Sequence, residues 1–169
     1  SRYQTIDVVR GLVESGRSGE IALYTGNDDN ILLDLLSEYK FIREVEPAKK
    51  RIVGGLLGHW AVWTRSAVKL LADVQKGVFA KNTGKSLTLA HQITDCNAAF
   101  FDAANQFAGC IVGLHEVLRR QGLLEGVWTL DENEVLSPKQ LAEIDRVYNA
   151  YPELNDDSFV AQNLDRWLR

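Results

Sequence analysis

Two short apolar runs constrain this chain more than anything else in it. Glu20-Ile21-Ala22-Leu23-Tyr24-Thr25-Gly26-Asn27-Asp28-Asp29 and Arg51-Ile52-Val53-Gly54-Gly55-Leu56-Leu57-Gly58-His59-Trp60 each end in Gly plus polar residues, and a helical pattern follows each at once. An apolar run without polar alternation suits a strand buried on both faces, as in a parallel sheet covered by helices. The runs therefore predict two parallel strands, at about 20–25 and 51–57. Ligands of such sheets gather where strands end and the next helices begin. That rule puts the candidate binding residues at Thr25, Gly26, Asn27 and Asp28 after the first strand, and at Gly58, His59 and Trp60 after the second.

Helical periodicity fills most of the remainder. Ile6, Val9, Leu12 and Val13 mark a first helix over 3–15, ended by the glycines at 16–19. Ile31, Leu32, Leu35, Leu36 and Tyr39 mark a second, which Asp28, Asp29 or Asn30 can cap. The charged segment 43–50, with Pro47, reads as a surface connection. Val62, Trp63, Ala67, Leu70, Leu71 and Val74 form the apolar face of the helix after the second strand. A loop over 77–85 follows, and then one long helix from about 95 to 121, with an earlier start near Leu87 as an alternative. Phe100, Ala103, Ala104, Phe107, Ile111, Leu114 and Leu118 give it a broad apolar face, and Gly109 and Gly113 suit close packing on a neighbour. Ser137-Pro138 is a helix start with Ser as cap and Pro at the first helical position, and a last helix opens at Asn155-Asp156-Asp157-Ser158. Two parallel strands alone cannot satisfy their outer edges or close a barrel, so the missing strands are expected from other backbone, upstream in a longer chain or in another subunit.

Composition narrows the function classes. At 169 residues the chain fits one domain with a substantial core, and 46% hydrophobic with 25% charged residues is ordinary for a globular protein. A formal net charge of -4 gives no electrostatic reason to expect nucleic acid or an anionic membrane as partner. No apolar stretch reaches the ~18 residues of a membrane span, and no signal-peptide pattern opens the chain. Cys96 and Cys110, read as lying in one helix, would be ~21 Å apart at ~1.5 Å rise per residue, too far for a disulfide. Two distant thiols fit a reducing compartment, hence a cytoplasmic protein, and read as small buried apolar residues. The absence of Met and the start at Ser1 suit a processed or trimmed chain, although removal of an initiator Met before Ser explains the start equally.

The order of elements resembles the C-terminal part of an aldolase-type (β/α)8 barrel, that of the dihydrodipicolinate synthase and N-acetylneuraminate lyase superfamily. Leu23-Tyr24-Thr25-Gly26-Asn27-Asp28-Asp29 is similar to the family's seventh strand with its Gly-Asp-Asp type turn, and Ile52-Val53-Gly54-Gly55-Leu56-Leu57-Gly58 to its Gly-rich eighth. The helix ending Arg119-Arg120-Gln121-Gly122, the extended segment after it and the start at Leu136-Ser137-Pro138 resemble the family's C-terminal helices. The tail, with Tyr151-Pro152-Glu153-Leu154 and Trp167-Leu168, is similar to an uncharacterised bacterial branch. The resemblance implies an α/β fold, mainly helical: residues 1–85 as the last βα units of the barrel, and 86–169 as a helical extension packed on it.

It also implies Schiff-base lyase or aldolase chemistry on a 2-keto acid and an aldehyde, with no cofactor and no metal. The family's lysine sits on the sixth strand and its tyrosine on the fifth, so both would precede Ser1, and no catalytic residue is assigned in this chain. None of Lys40, Lys49, Lys50, Lys69 or Lys76 ends a strand. What the chain would supply is substrate recognition. Gly26 lets backbone approach a ligand, Asn27 and Asp28 bond hydroxyl groups of a sugar-like or hydroxy-acid aldehyde, and His59 and Trp60 line the pocket or pair with a carboxylate. Each has a plainer reading beside it: Asp28 or Asp29 as helix cap, Trp60 as wall. The partners implied are the two small molecules together with a second copy or the complementary N-terminal half of the barrel. The alternative is a non-catalytic helical module that oligomerises through apolar faces carrying Trp128 and Trp167.

Other constellations are weak. His59, His91 and His115 lack metal-ligand spacing. Gly54-Gly55-Leu56-Leu57-Gly58 lacks the lysine and hydroxyl residue of a phosphate-binding loop, and no Ser sits in a nucleophile elbow.

Overall fold

The two apolar runs pair side by side. The computed structural model describes residues 2–42, 47–56 and 58–169, in the order α1 (Arg2–Glu14), β1 (Leu23–Thr25), α2 (Ile31–Leu36), β2 (Glu38–Phe41), β3 (Ala48–Gly55), α3 (Thr64–Gln75), α4 (Thr83–Phe101), α5 (Cys110–Arg120), α6 (Gln140–Ala150) and α7 (Asp157–Trp167). The fold is α/β and mainly helical. β1 and β3 are parallel, with Leu23 opposite Ile52, Tyr24 opposite Gly54 and Thr25 opposite Gly55. Lys50 Nζ donates to the carbonyls of Ser18 and Ile21 and ties the turn before β1 to β3. Leu57, expected to end the second strand, and 43–46 of the expected surface connection lie outside the described residues.

The sheet has a third strand that the periodicity does not predict. Residues 38–41 form β2, antiparallel to β3, and the sheet order is β1-β3-β2. Tyr39, expected on a helix, is therefore a strand residue, and β3 begins at Ala48 rather than near 51. The helix stops early because Ser37 is extended (ψ 138°) and its hydroxyl takes the Leu33 carbonyl at 2.6 Å, which satisfies the helix end locally. Glu38-Tyr39-Lys40-Phe41 then alternates with period two, and Glu38 accepts from Arg51 Nε across the ladder at 3.3 Å. One outer edge of the predicted pair is thus covered from within the chain. β1 has no strand partner on its other side among the described residues.

The predicted long helix is two helices. α4 ends at Phe101, and Asp102, Gln106 and Phe107 all take left-handed backbone (φ 59°, 56° and 66°) before α5 starts at Cys110. Asp102 makes the break: its Oδ1 accepts from Asn105 Nδ2 at 2.6 Å and its Oδ2 from the Gly109 N–H at 3.0 Å. Ala103, Ala104 and Phe107, expected on a buried face, are consequently exposed. Gly113 allows α5 to fold back, since a Cβ there would lie 2.1 Å from the Phe100 carbonyl oxygen. Cys96 and Cys110 accordingly sit on different helices, and both are free thiols.

The core is built on these helices. Val62, Trp63, Cys96, Phe100, Val117, Ile144 and Val147 form one buried cluster, and Ile31, Leu32, Ala90 and Ile93 another. Residues 85 and 86 both lie within α4, whose Ala90 and Ile93 pack on Ile31 and Leu32 of α2. The Ser137-Pro138 start forms a turn, with the Ser137 N–H donating to Gln140 Oε1 at 3.1 Å. Regular helix begins only at Gln140, because Lys139 is left-handed (φ 71°).

Candidate functional site

Because β1 and β3 are parallel, both chains leave the sheet on the same side. Leu56 N–H donates to the Thr25 carbonyl at 2.9 Å and carries the ladder to the end of β1. Thr25 itself is buried and shapes the following turn. Its hydroxyl donates to Asp34 Oδ2 at 2.7 Å and accepts from the Asn27 N–H at 3.1 Å, while Asn27 Nδ2 donates to the same Asp34 oxygen at 3.3 Å. The turn is therefore fixed from beneath by α2.

α4 clasps it from the side. Thr94 Oγ1 donates to the Asp29 carbonyl at 2.8 Å, and Asn97 Nδ2 to the Asp28 carbonyl at 2.7 Å. Asn97 also reaches the other strand exit: its Oδ1 accepts from the His59 N–H at 2.7 Å and lies 3.0 Å from His59 Nδ1. An oxygen at that distance assigns the proton to Nδ1 and leaves Nε2 with a lone pair. Gly58 is required between them, with φ 95° and a would-be Cβ 3.3 Å from Asn97 Oδ1. One buried amide thus staples both strand-end turns together.

Asn97 is the functional residue that the strand-end reasoning passes over. Its signal was present, since it lies at helical spacing with Ile93, Cys96 and Phe100 on the buried face of α4. An amide in an apolar stripe that is hydrogen-bonded through both its oxygen and its nitrogen holds something in place.

Thr25, Gly26, Asn27 and Asp28 come together, but His59 and Trp60 do not join them. A cleft of about 470 Å³ lies at the β1 exit, lined by Gly26, Asn27, Asp28 and Asp29 on one side and by Thr94, Asn97, Phe101 and Phe107 on the other. Burial, opposed by a hydrogen bond from its own backbone N–H and helped by the neighbouring Asp29, pushes the Asp28 carboxyl above its usual range. His59 and Trp60 line a separate cavity of about 300 Å³ between α3 and α4, with Leu70, Phe79, Ile93 and Leu154. His59 is 2% exposed, edge-on to Trp63 and Phe100 at 5.5 and 6.1 Å between ring centroids. Burial lowers its pKa to about 4 against the opposing Asn97 hydrogen bond, so at neutral pH it cannot serve as a cationic partner for a carboxylate. Trp60 closes over Gly55, where a Cβ would sit 2.2 Å from its ring, and packs with the Ile31 and Leu32 cluster. It is a wall.

No lysine, arginine or histidine lines the β1 cleft among the described residues, and Lys69 pairs with Asp73 at 3.3 Å at the other cavity. Among the described residues there is no group of three or more His, Cys, Asp or Glu placed to hold a metal ion, and no helix long and apolar enough to cross a membrane. Compared with known protein families, curated proteins and solved structures, the chain matches none of them.

Proposed function

We propose that this chain is the substrate-recognition part of a Schiff-base-forming lyase or aldolase, a (β/α)8 enzyme that cleaves or joins a 2-keto acid and an aldehyde. The observation that carries the reading is the parallel pair whose two exits are stapled by Asn97 beside a cleft, where βα enzymes hold their ligands. The reactive lysine belongs to additional backbone, and the edge of β1, which has no strand partner among the described residues, is where such a strand would add. Its amine condenses with the ketone, losing water, and the resulting iminium accepts the electron pair of the carbon–carbon bond that breaks. Asn27 Oδ1 and the Asp28 carboxylate receive donors on the aldehyde. We place the enzyme in the cytoplasm, consistent with two free thiols, as a homo-oligomer or joined to the complementary half of the barrel.

Borohydride reduction in the presence of pyruvate, read by mass spectrometry, tests the reading. The longer polypeptide that includes this sequence traps an adduct on a lysine outside residues 1–169, and this chain alone traps none. A longer form that never forms the adduct sinks it.

A second reading has its own observation. Val8 and Tyr24 are exposed beside one another near the edge of β1 that has no strand partner among the described residues, and Tyr3, Trp128 and Trp167 are exposed elsewhere, as in a non-catalytic module that binds another subunit. Stable self-association in size-exclusion chromatography, with no ligand-induced change in thermal stability, would favour the module.

A further inference from the structure

The cleft at the β1 exit has two chemically distinct walls. Residues 26–29 form the polar one, and the side-chain donors around it are engaged in holding the turn. Asn27 N–H and Nδ2 are taken by Thr25 and Asp34, while Asn97 Nδ2 and Thr94 Oγ1 hold the carbonyls of Asp28 and Asp29. What remains toward the cleft is acceptor capacity, on the Asn27 amide oxygen and two carboxylates. On the facing wall, beyond Thr94 and Asn97, the lining is apolar: Ala98, Phe101, Ala103 and Phe107. Phe101 is 6% exposed and forms the floor, and Phe107, 58% exposed, forms the rim. Phe107 stands there only because the chain breaks after Phe101. It is held left-handed (φ 66°), with its N–H donating to the Asp102 carbonyl at 3.0 Å, in a segment that Asp102 also caps at Gly109. Such a backbone costs an L-residue energy and persists where surrounding contacts impose it.

We infer that Phe101 and Phe107 form an aromatic subsite, and that the cleft takes a ligand with an apolar ring carrying hydroxyl or ammonium donors and no anionic group. The ring stacks between floor and rim, and its donors reach Asn27, Asp28 and Asp29. An anionic ligand meets two carboxylates and no cation among the lining residues, so its charge is buried uncompensated. A small polyol satisfies the acceptors but leaves the ring wall wet. Resting on the lyase reading, this makes the aldehyde a hydroxylated ring aldehyde rather than a sugar acid, and the 2-keto carboxylate is received elsewhere.

The test is titration of the chain with 4-hydroxybenzyl alcohol, 4-hydroxybenzoate and glycerol, followed by amide NMR shifts of Asp28, Thr94 and Phe107. The ring alcohol gives saturable shifts there, 4-hydroxybenzoate binds at least about tenfold more weakly, and glycerol does not saturate. Phe107→Ala weakens the ring alcohol about tenfold and Phe107→Tyr retains it. Phe107→Gly, which keeps the left-handed backbone without strain, loses as much as Phe107→Ala and assigns the effect to the ring. Absence of saturable shifts, equal binding of 4-hydroxybenzoate or glycerol, or indifference to Phe107→Ala overturns the inference. Borohydride trapping reads the other proposal separately: ring binding without a lysine adduct leaves the subsite standing and removes the lyase, and an adduct with a polyol preference does the reverse.

Discussion

The exits of β1 and β3 arise from the same sequence pattern, an apolar run ending in Gly and polar residues, yet the residues of one face a cleft with polar acceptors and the rings of the other turn into the core. After β1 come Gly26, Asn27, Asp28 and Asp29, whose side chains are short and whose acceptors face a cleft. After β3 come Gly58, His59 and Trp60, whose rings turn back into the core against Trp63, Phe100 and Gly55. A short polar residue at a strand end gains little by burial and stays at the surface. A ring stabilises the fold by about 1.5–3 kcal/mol when buried, enough to carry even an imidazole inward if one hydrogen bond meets it. Side-chain bulk, more than position along the strand, therefore decides which exit presents polar acceptors to a cleft and which becomes an apolar wall.

The largest break in that contrast comes from removing the ring that the β3 exit packs against. Trp63 is fully buried, edge-on to Phe100 at 4.9 Å and to Tyr148 at 5.1 Å between centroids. Trp63→Ala is expected to cost about 3–5 kcal/mol in urea unfolding and to loosen His59. The amide shifts of 26–29 should move far less than those of 58–62. Equal disturbance of both exits would show that they are one packing unit.

Next comes the staple. Asn97→Ala leaves the His59 N–H and Nδ1 without an acceptor inside the core, and frees the Asp28 carbonyl at the cleft. Each buried unmet group costs about 1–3 kcal/mol, and water reaches the Asp28 side, so a loss of about 2–4 kcal/mol is expected. Unlike Trp63→Ala, this variant should shift amides at both exits. A loss below 1 kcal/mol would mean that Asn97 holds neither.

How the sequence foretold these regions differs in the same way. The parallel pair was legible from its apolar runs, and Ile52 sits opposite Leu23, but the expected burial on both faces does not hold: Tyr24, Val53 and Leu56 are exposed, so the strands are covered on one face only. The turn at 26–28 was legible too from its own short polar residues, although Asp34 of α2 and Thr94 and Asn97 of α4 are what hold it in place. What escaped depended on partners distant in sequence. β2 exists because Arg51 and Lys50 give Glu38 and Tyr39 a ladder, which outweighs the helical spacing of Tyr39. The break at 102–109 depends on Asp102 capping Gly109, in a stretch whose apolar spacing alone reads as continuous helix. His59 and Trp60 were placed on the ligand side because a strand end shows where a residue starts, not whether its ring turns inward.

The two exits should also titrate with opposite sign. His59 has a pKa of about 4 when folded, against 6.5 for the free side chain. Below pH 6.5 the unfolded chain binds a proton that the folded one refuses. The contribution of His59 to stability is therefore full above that pH and lost as pH falls toward 4, about 3 kcal/mol in all. Unfolding midpoints at pH 7 and 4.5 should converge for His59→Gln and differ for the native chain. A native midpoint flat over that range would place His59 in contact with water.

Asp28 gives the smallest and oppositely signed effect. Its carboxyl is raised above 3.8 by burial and by Asp29, so the folded protein holds its proton to higher pH than the unfolded chain does. Its charged form costs stability above the folded pKa, and that cost disappears as the pH falls through it. Asp28→Asn removes the repulsion from Asp29 and keeps the backbone carbonyl that Asn97 holds. The variant should therefore be slightly more stable than the native chain at pH 7, by less than about 1 kcal/mol, with the gain vanishing in acid. A destabilised Asp28→Asn at pH 7 would mean that the carboxylate has a structural donor beyond its own backbone N–H, and the β1 exit would then be as fully committed to the fold as the β3 exit.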